Sequence, residues 1–72
     1  MRPSDITTPL QLYKYLMRSC EKLPGRPQRI HYKNHVRREF AAYADETDPQ
    51  RINEIIKRSV TDCDWILNKY IK

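Results

Sequence analysis

The sequence predicts an all-α fold, an antiparallel three-helix bundle with an up-down-up path, and three observations carry that prediction. Apolar side chains recur at three- and four-residue steps in three separate stretches, the pattern of helices that each bury one side. Two breaks part the stretches, Leu23-Pro24-Gly25-Arg26-Pro27 and Asp48-Pro49. Strand-type alternation is missing, and the chain holds 1 glycine.

The first helix is expected over residues 8–23. Thr8 can cap it, Pro9 suits its first position, and Gln11 stands where a capping box places Glu or Gln. Leu12, Tyr13, Leu16, Met17, Cys20 and Leu23 form its apolar arc, with Lys14 and Arg18 as an i, i+4 pair on the polar flank. The second helix, 27–44, carries Tyr32, Val36, Phe40 and Tyr43 on one stripe and ends at the acidic cluster Asp45, Glu46 and Asp48. The third, 49–70, opens on the cap-then-proline signal of Asp48-Pro49. Its stripe of Ile52, Ile55, Ile56, Ser59, Val60, Cys63, Ile66, Leu67 and Tyr70 is the longest and most regular in the chain. Connections of about five residues make neighbouring helices antiparallel in the simplest packing.

At 72 residues the chain is expected to be one domain, residues 1–72. A chain so short buries only about 60% of the surface its unfolded form exposes. Such a core supplies about 3 to 5 kcal/mol, so support from a bound partner belongs to the expectation. The net charge of +5 points to an anionic partner: nucleic acid, an anionic membrane or an acidic protein surface. Cys20 and Cys63 are too few and too far apart for a disulfide framework or a metal knuckle, which fits a reducing compartment. No apolar run resembles a secretory signal or is long enough to span a bilayer. The opening MRPSDITTP has one Arg and one Asp before a helix begins, a poor cleavable mitochondrial presequence, so import would use internal information.

Candidate sites follow from the helical spacing. Arg26, Arg29, Lys33 and Arg37 fall in one file on the second helix, bordering the edge that carries Val36 and Phe40. The file reads either as a solvated face or as an anion-docking surface, since side chains three and four apart can meet several carboxylates at once. His31 and His35 have the spacing of a ligand pair but lack the glutamate of a zinc-protease helix and a third ligand, so no metal site is expected. With no glycine-rich phosphate loop and no nucleophile set beside a base, no catalytic residues and no enzymatic activity are expected. Nucleic acid is not the expected partner either, because groove readers project polar side chains beside the bases whereas this basic file hugs an apolar edge. Trp65 projects opposite the isoleucine stripe, in company with Arg58 and Lys69. Lys69 over its ring would make exposure tolerable, and an interface anchor is the competing reading.

Leu12-Tyr13-Lys14 near the start of the first helix, Leu23-Pro24 at its end, Val36-Arg37-x-x-Phe40 on the second and Asp48-Pro49 before the third, in this order, resemble the LYR motif family. The resemblance runs from about Thr8 to Tyr70. It implies a small, non-enzymatic adaptor of the mitochondrial matrix that binds the mitochondrial acyl carrier protein. It implies no cofactor of the chain's own: the acyl-4'-phosphopantetheine is borne by the partner, and its acyl chain enters the helical core. Such adaptors serve respiratory-complex, iron–sulfur or mitoribosome assembly through a client protein.

By position, Leu12, Tyr13 and Lys14 take the family's tripeptide, with Lys14 in place of the usual arginine, and Arg37 and Phe40 take the helix-two motif. Ala41 and Ala44 stand where many members carry basic residues, so carrier contact is expected of Arg26, Arg29, Lys33 and Arg37. Arg18 and Trp65 complete the partner-binding set. Leu16, Cys20, Val36, Phe40, Ser59 and Cys63 are the expected lining of the acyl chain, with the small Cys20, Ser59 and Cys63 leaving it room; close helix contact is the other use for small residues. The alternative function is a structural subunit or interaction module of a larger assembly without the carrier, with Trp65 at the contact, and after it a small nucleic-acid-binding helical domain.

Overall fold

The computed structural model describes residues 5–71. Residues 1–4, the start of the stretch weighed as a presequence, and Lys72 lie outside the described residues. The described chain forms α1 (Pro9–Cys20), α2 (Arg26–Tyr43) and α3 (Pro49–Ile71), with no strand among the described residues.

Helices α1 and α3 begin where side chains of the sequence satisfy the open end. At α1 the capping box is complete: the Gln11 amide donates to Thr8 Oγ1 at 3.2 Å and the Thr8 amide donates back to Gln11 Oε1 at 3.2 Å. Gln11 Oε1 also accepts from the Thr7 amide at 2.8 Å, so one side chain satisfies more than one of the free N–H groups at the entry. At α3 the Gln50 amide donates to Asp48 Oδ1 at 3.1 Å, and Pro49 needs no partner for an N–H it lacks. Gly25 caps α2 through backbone alone.

Helix α1 stops at Cys20, three residues before the expected end at Leu23. From Cys20 the chain tightens: the amides of Glu21, Lys22 and Leu23 donate to the carbonyls three residues back, Arg18, Ser19 and Cys20, at 3.2, 3.1 and 3.2 Å. A narrower final turn of this kind is a common helix ending. It carries Leu23 inward to 2% exposure, so the apolar period continues one step past the α-helix itself.

Ile6, Leu12, Leu16, Cys20, Val36, Tyr43 and Ile56 form the buried core. Helix α1 is the central element, packed against both α2 and α3, whereas α2 and α3 touch little along their lengths. They do meet through Tyr32 near the start of α2 and Tyr70 near the end of α3, whose rings are 6.2 Å apart, edge to face. Polar composition explains the asymmetry. More than half of α2 is charged, amide-bearing or histidine, and its fully buried residues are Val36 and Tyr43.

Candidate functional site

Where α2 and α3 diverge over α1, an apolar pocket of about 70 Å³ opens within a larger, partly solvent-filled space of about 530 Å³. Leu16, Ser19 and Cys20 of α1, with Leu23 beyond it, form the floor. One wall is Tyr32, His35, Val36 and Glu39 of α2, and the other is Ser59, Asp62, Cys63, Ile66 and Leu67 of α3. Ser19, Cys20, Ser59 and Cys63 are the small side chains of this lining.

The structure thus brings together Leu16, Cys20, Val36, Ser59 and Cys63, which come from three helices. Phe40 is not part of this lining. Its ring is taken up by Tyr13 at 4.6 Å and by Tyr43 at 5.8 Å. Ser19 donates its hydroxyl to the Tyr15 carbonyl at 2.9 Å and so is satisfied in place although buried. Both thiols are free. Burial, and then the neighbouring Cys63, push the Cys20 thiol up to about 11. Burial raises Cys63 as well. Neutral thiols of this kind behave as small apolar groups and are poor nucleophiles.

The cations of α2 lie to the side of the pocket, and none of Arg26, Arg29, Lys33 or Arg37 lines it. Arg29 folds back so that Nη1 donates to the carbonyls of Leu23 at 2.8 Å and Pro24 at 3.2 Å. Lys33 Nζ is 3.2 Å from Glu21 Oε1, across to the end of α1. Arg37 Nη1 donates to Asn34 Oδ1 at 2.9 Å on its own helix. Arg26 is exposed.

Helix α1 carries a second file, Lys14 and Arg18, which Lys22 extends one turn further. These three border a surface hollow with Tyr13, Tyr15, Met17 and Ser19. Lys22 was missed although it lay within the expected helix, 8–23, and its i, i+4 spacing from Arg18 was the available signal. Leu12 of the tripeptide is wholly buried, Tyr13 is half-buried against Phe40, and Lys14 is exposed. Trp65 is 65% exposed, and Lys69 Nζ sits 5.4 Å from its ring centroid.

His35, Glu39 and Asp62 on the pocket rim were also missed. On a helical wheel they sit at the border between faces, where sequence period does not decide the side. No group of three or more His, Cys, Asp or Glu residues suited to a metal occurs among the described residues. No helix among them is long and apolar enough to cross a membrane.

Three helices, an apolar pocket between them and cationic files on two of the helices define a small helical binding module. The chain belongs to the LYR family: the family model described as Complex 1 protein (LYR family) matches residues 7–65. It is 53% identical over 66 residues to LYR motif-containing protein 9 of Branchiostoma floridae, a match covering 92% of this chain and 83% of that relative. It is 29% identical over 59 residues to an LYR motif-containing protein of Physcomitrium patens, covering 82% of this chain and 88% of the relative. No solved structure matches the chain. LYR proteins are generally mitochondrial, non-enzymatic adaptors for protein interactions, and membership points to a small mitochondrial assembly or adaptor protein.

Proposed function

We propose that the chain is an adaptor of the mitochondrial matrix that binds acylated acyl carrier protein and presents it to a client in respiratory-complex, iron–sulfur or mitoribosome assembly. The observation that carries this reading is the open apolar pocket lined by all three helices, with the small Ser19, Cys20, Ser59 and Cys63 in its lining. The acyl chain of the partner's 4'-phosphopantetheine lies in that pocket, and the cations of α1 and α2 meet the acidic carrier. The proposal includes an up-down-up path, for which two contacts speak: Tyr13 early in α1 meets Phe40 late in α2, and Tyr32 early in α2 meets Tyr70 late in α3.

Magnitudes assign the parts. Burying about ten methylenes contributes roughly 8 kcal/mol gross, whereas exposed ion pairs contribute about 0 to 1 kcal/mol each. The chain therefore dominates affinity while the cations steer and orient the carrier. At about 70 Å³ the pocket is smaller than the roughly 300 Å³ of sites that hold drug-sized ligands. Loading accordingly parts α2 from α3, the helix pair with the least mutual contact.

Co-expression with mitochondrial acyl carrier protein followed by native mass spectrometry tests the proposal. A one-to-one complex carrying an acyl group is expected, weakened by Lys33→Glu with Arg37→Glu and lost with Ser59→Leu and Cys63→Leu. Equal binding of acylated and unacylated carrier would remove the pocket from the mechanism. A second reading, a structural subunit that works without the carrier, is favoured by one observation, the 65% exposure of Trp65 on the side of α3 opposite the core. It predicts no acyl-carrier complex at all.

A further inference from the structure

The pocket carries a charge pattern that its apolar floor does not require. Two exposed carboxylates border it, Glu39 from α2 and Asp62 from α3, and no lysine or arginine among the described residues lines it. The basic side chain in the lining, His35, is already engaged, with Nε2 3.2 Å from Glu39 Oε1, and the charge of Lys22 reaches the Cys63 thiol from outside the lining. Lys33, whose charge acts on the pocket thiol of Cys20, is turned toward Glu21 at 3.2 Å. Sites that retain a free carboxylate pair it with a cation, because an ionised group leaving water is otherwise strongly penalised. Here the arriving group would meet like charges, the arrangement by which binding sites exclude a competitor.

We infer that Glu39 and Asp62 act as a charge filter on the pocket, which accepts an acyl chain while its carbonyl is held as a thioester and rejects the free fatty acid. The inference rests on the reading of the pocket as an acyl site and specifies its ligand chemistry. A thioester is uncharged, so its chain enters without bringing a carboxylate to the rim. Occupancy of the pocket then reports a chain still covalently attached to its carrier, and hydrolysed chains do not compete.

The test is calorimetric titration at neutral pH with two probes of equal chain length, S-decanoyl-N-acetylcysteamine and decanoate. Wild type is expected to bind the thioester at least about tenfold more tightly than decanoate. Glu39→Gln with Asp62→Asn should remove most of that gap by improving decanoate, leaving the thioester affinity unchanged. Ser59→Leu with Cys63→Leu should abolish thioester binding, and its retention would place the probe outside the pocket and overturn the filter. Equal wild-type affinities for the two probes would overturn the filter while leaving the acyl site standing. A gap that persists in the Gln/Asn variant would remove these two residues from the selectivity. Binding of neither probe would overturn the acyl reading itself, and the filter with it.

Discussion

Tyr13 and Phe40 lie with ring centroids 4.6 Å apart and planes tilted by 40°. The tyrosine of the family tripeptide on α1 and the phenylalanine of the helix-two motif are therefore one packing unit that pins the two helices together. Offset aromatic pairs of this kind contribute about 0.5 to 1.5 kcal/mol beyond the area they bury. Phe40→Ala should cost about 2 to 3 kcal/mol, below the range for fully buried phenylalanines because the ring is only half-buried. A double-mutant cycle with Tyr13→Leu, read by urea denaturation, should return a coupling of about 1 kcal/mol. Additive losses would mean that the motif is a surface feature and not a helix clamp.

Tyr43 is 7% exposed, and its hydroxyl has no hydrogen-bond partner among the described residues. A buried, unpaired hydroxyl is destabilising, so Tyr43→Phe should raise stability by about 1 kcal/mol. For a domain of this size that is a rise in Tm of about 4 to 8 °C, measurable by circular dichroism. A lowered Tm would show that the hydroxyl is solvated in the native state.

Alkaline pH should unfold the protein through the same buried groups. Burial pushes the Cys20 thiol up from 9.0 to about 11 and the Tyr43 phenol up from 10.0 to about 12. A raised acid pKa means that the folded state holds its proton more firmly. The stabilisation is complete below the unfolded pKa and is lost as pH rises through the folded one. Cys20 therefore acts between about pH 9 and pH 11, and Tyr43 between about pH 10 and pH 12. Cys20→Ala should lose less stability than wild type across the lower window in parallel urea titrations, and identical slopes would exclude the thiol.

Much of the fold was legible because it depends on local chemistry. Thr8, Gln11, Asp48 and Pro49 act within one turn of themselves, and the starts of α1 and α3 follow from them. The end of α1 was misplaced because Leu23 keeps the apolar period after the backbone has left the α-helix. Ile6, buried ahead of the first cap, gave no periodic signal. Period also placed Cys20, Ser59 and Cys63 on inward faces, and the structure sets them around one pocket. The rim was not legible, since whether Glu39 and Asp62 border a gap depends on how far α2 stands from α3. Nor does a wheel show what a long cation reaches: Arg29 and Lys33 share a file with Arg37, yet one turns to backbone carbonyls and the other to Glu21.

That divergence within one file yields a final prediction. Arg29 Nη1 donates to the Leu23 and Pro24 carbonyls at 2.8 and 3.2 Å, tying the first turn of α2 to the tight turn that ends α1. Hydrogen bonds to a charged group are worth about 1.5 to 3 kcal/mol. Arg29→Ala should therefore destabilise by about 1.5 to 2 kcal/mol in urea denaturation. Arg37→Ala, which loses only an exposed bond to Asn34, should stay within about 0.5 kcal/mol. Arg29→Lys should recover part of the loss, since an ammonium keeps the charge but not the fixed fork that reaches two carbonyls. If Arg29→Ala and Arg37→Ala prove equally mild, Arg29 is a docking cation like its neighbour. If they separate as expected, carrier contacts on α2 are best sought at Lys33 and Arg37, because a binding defect in Arg29 variants would report a loosened connection between α1 and α2.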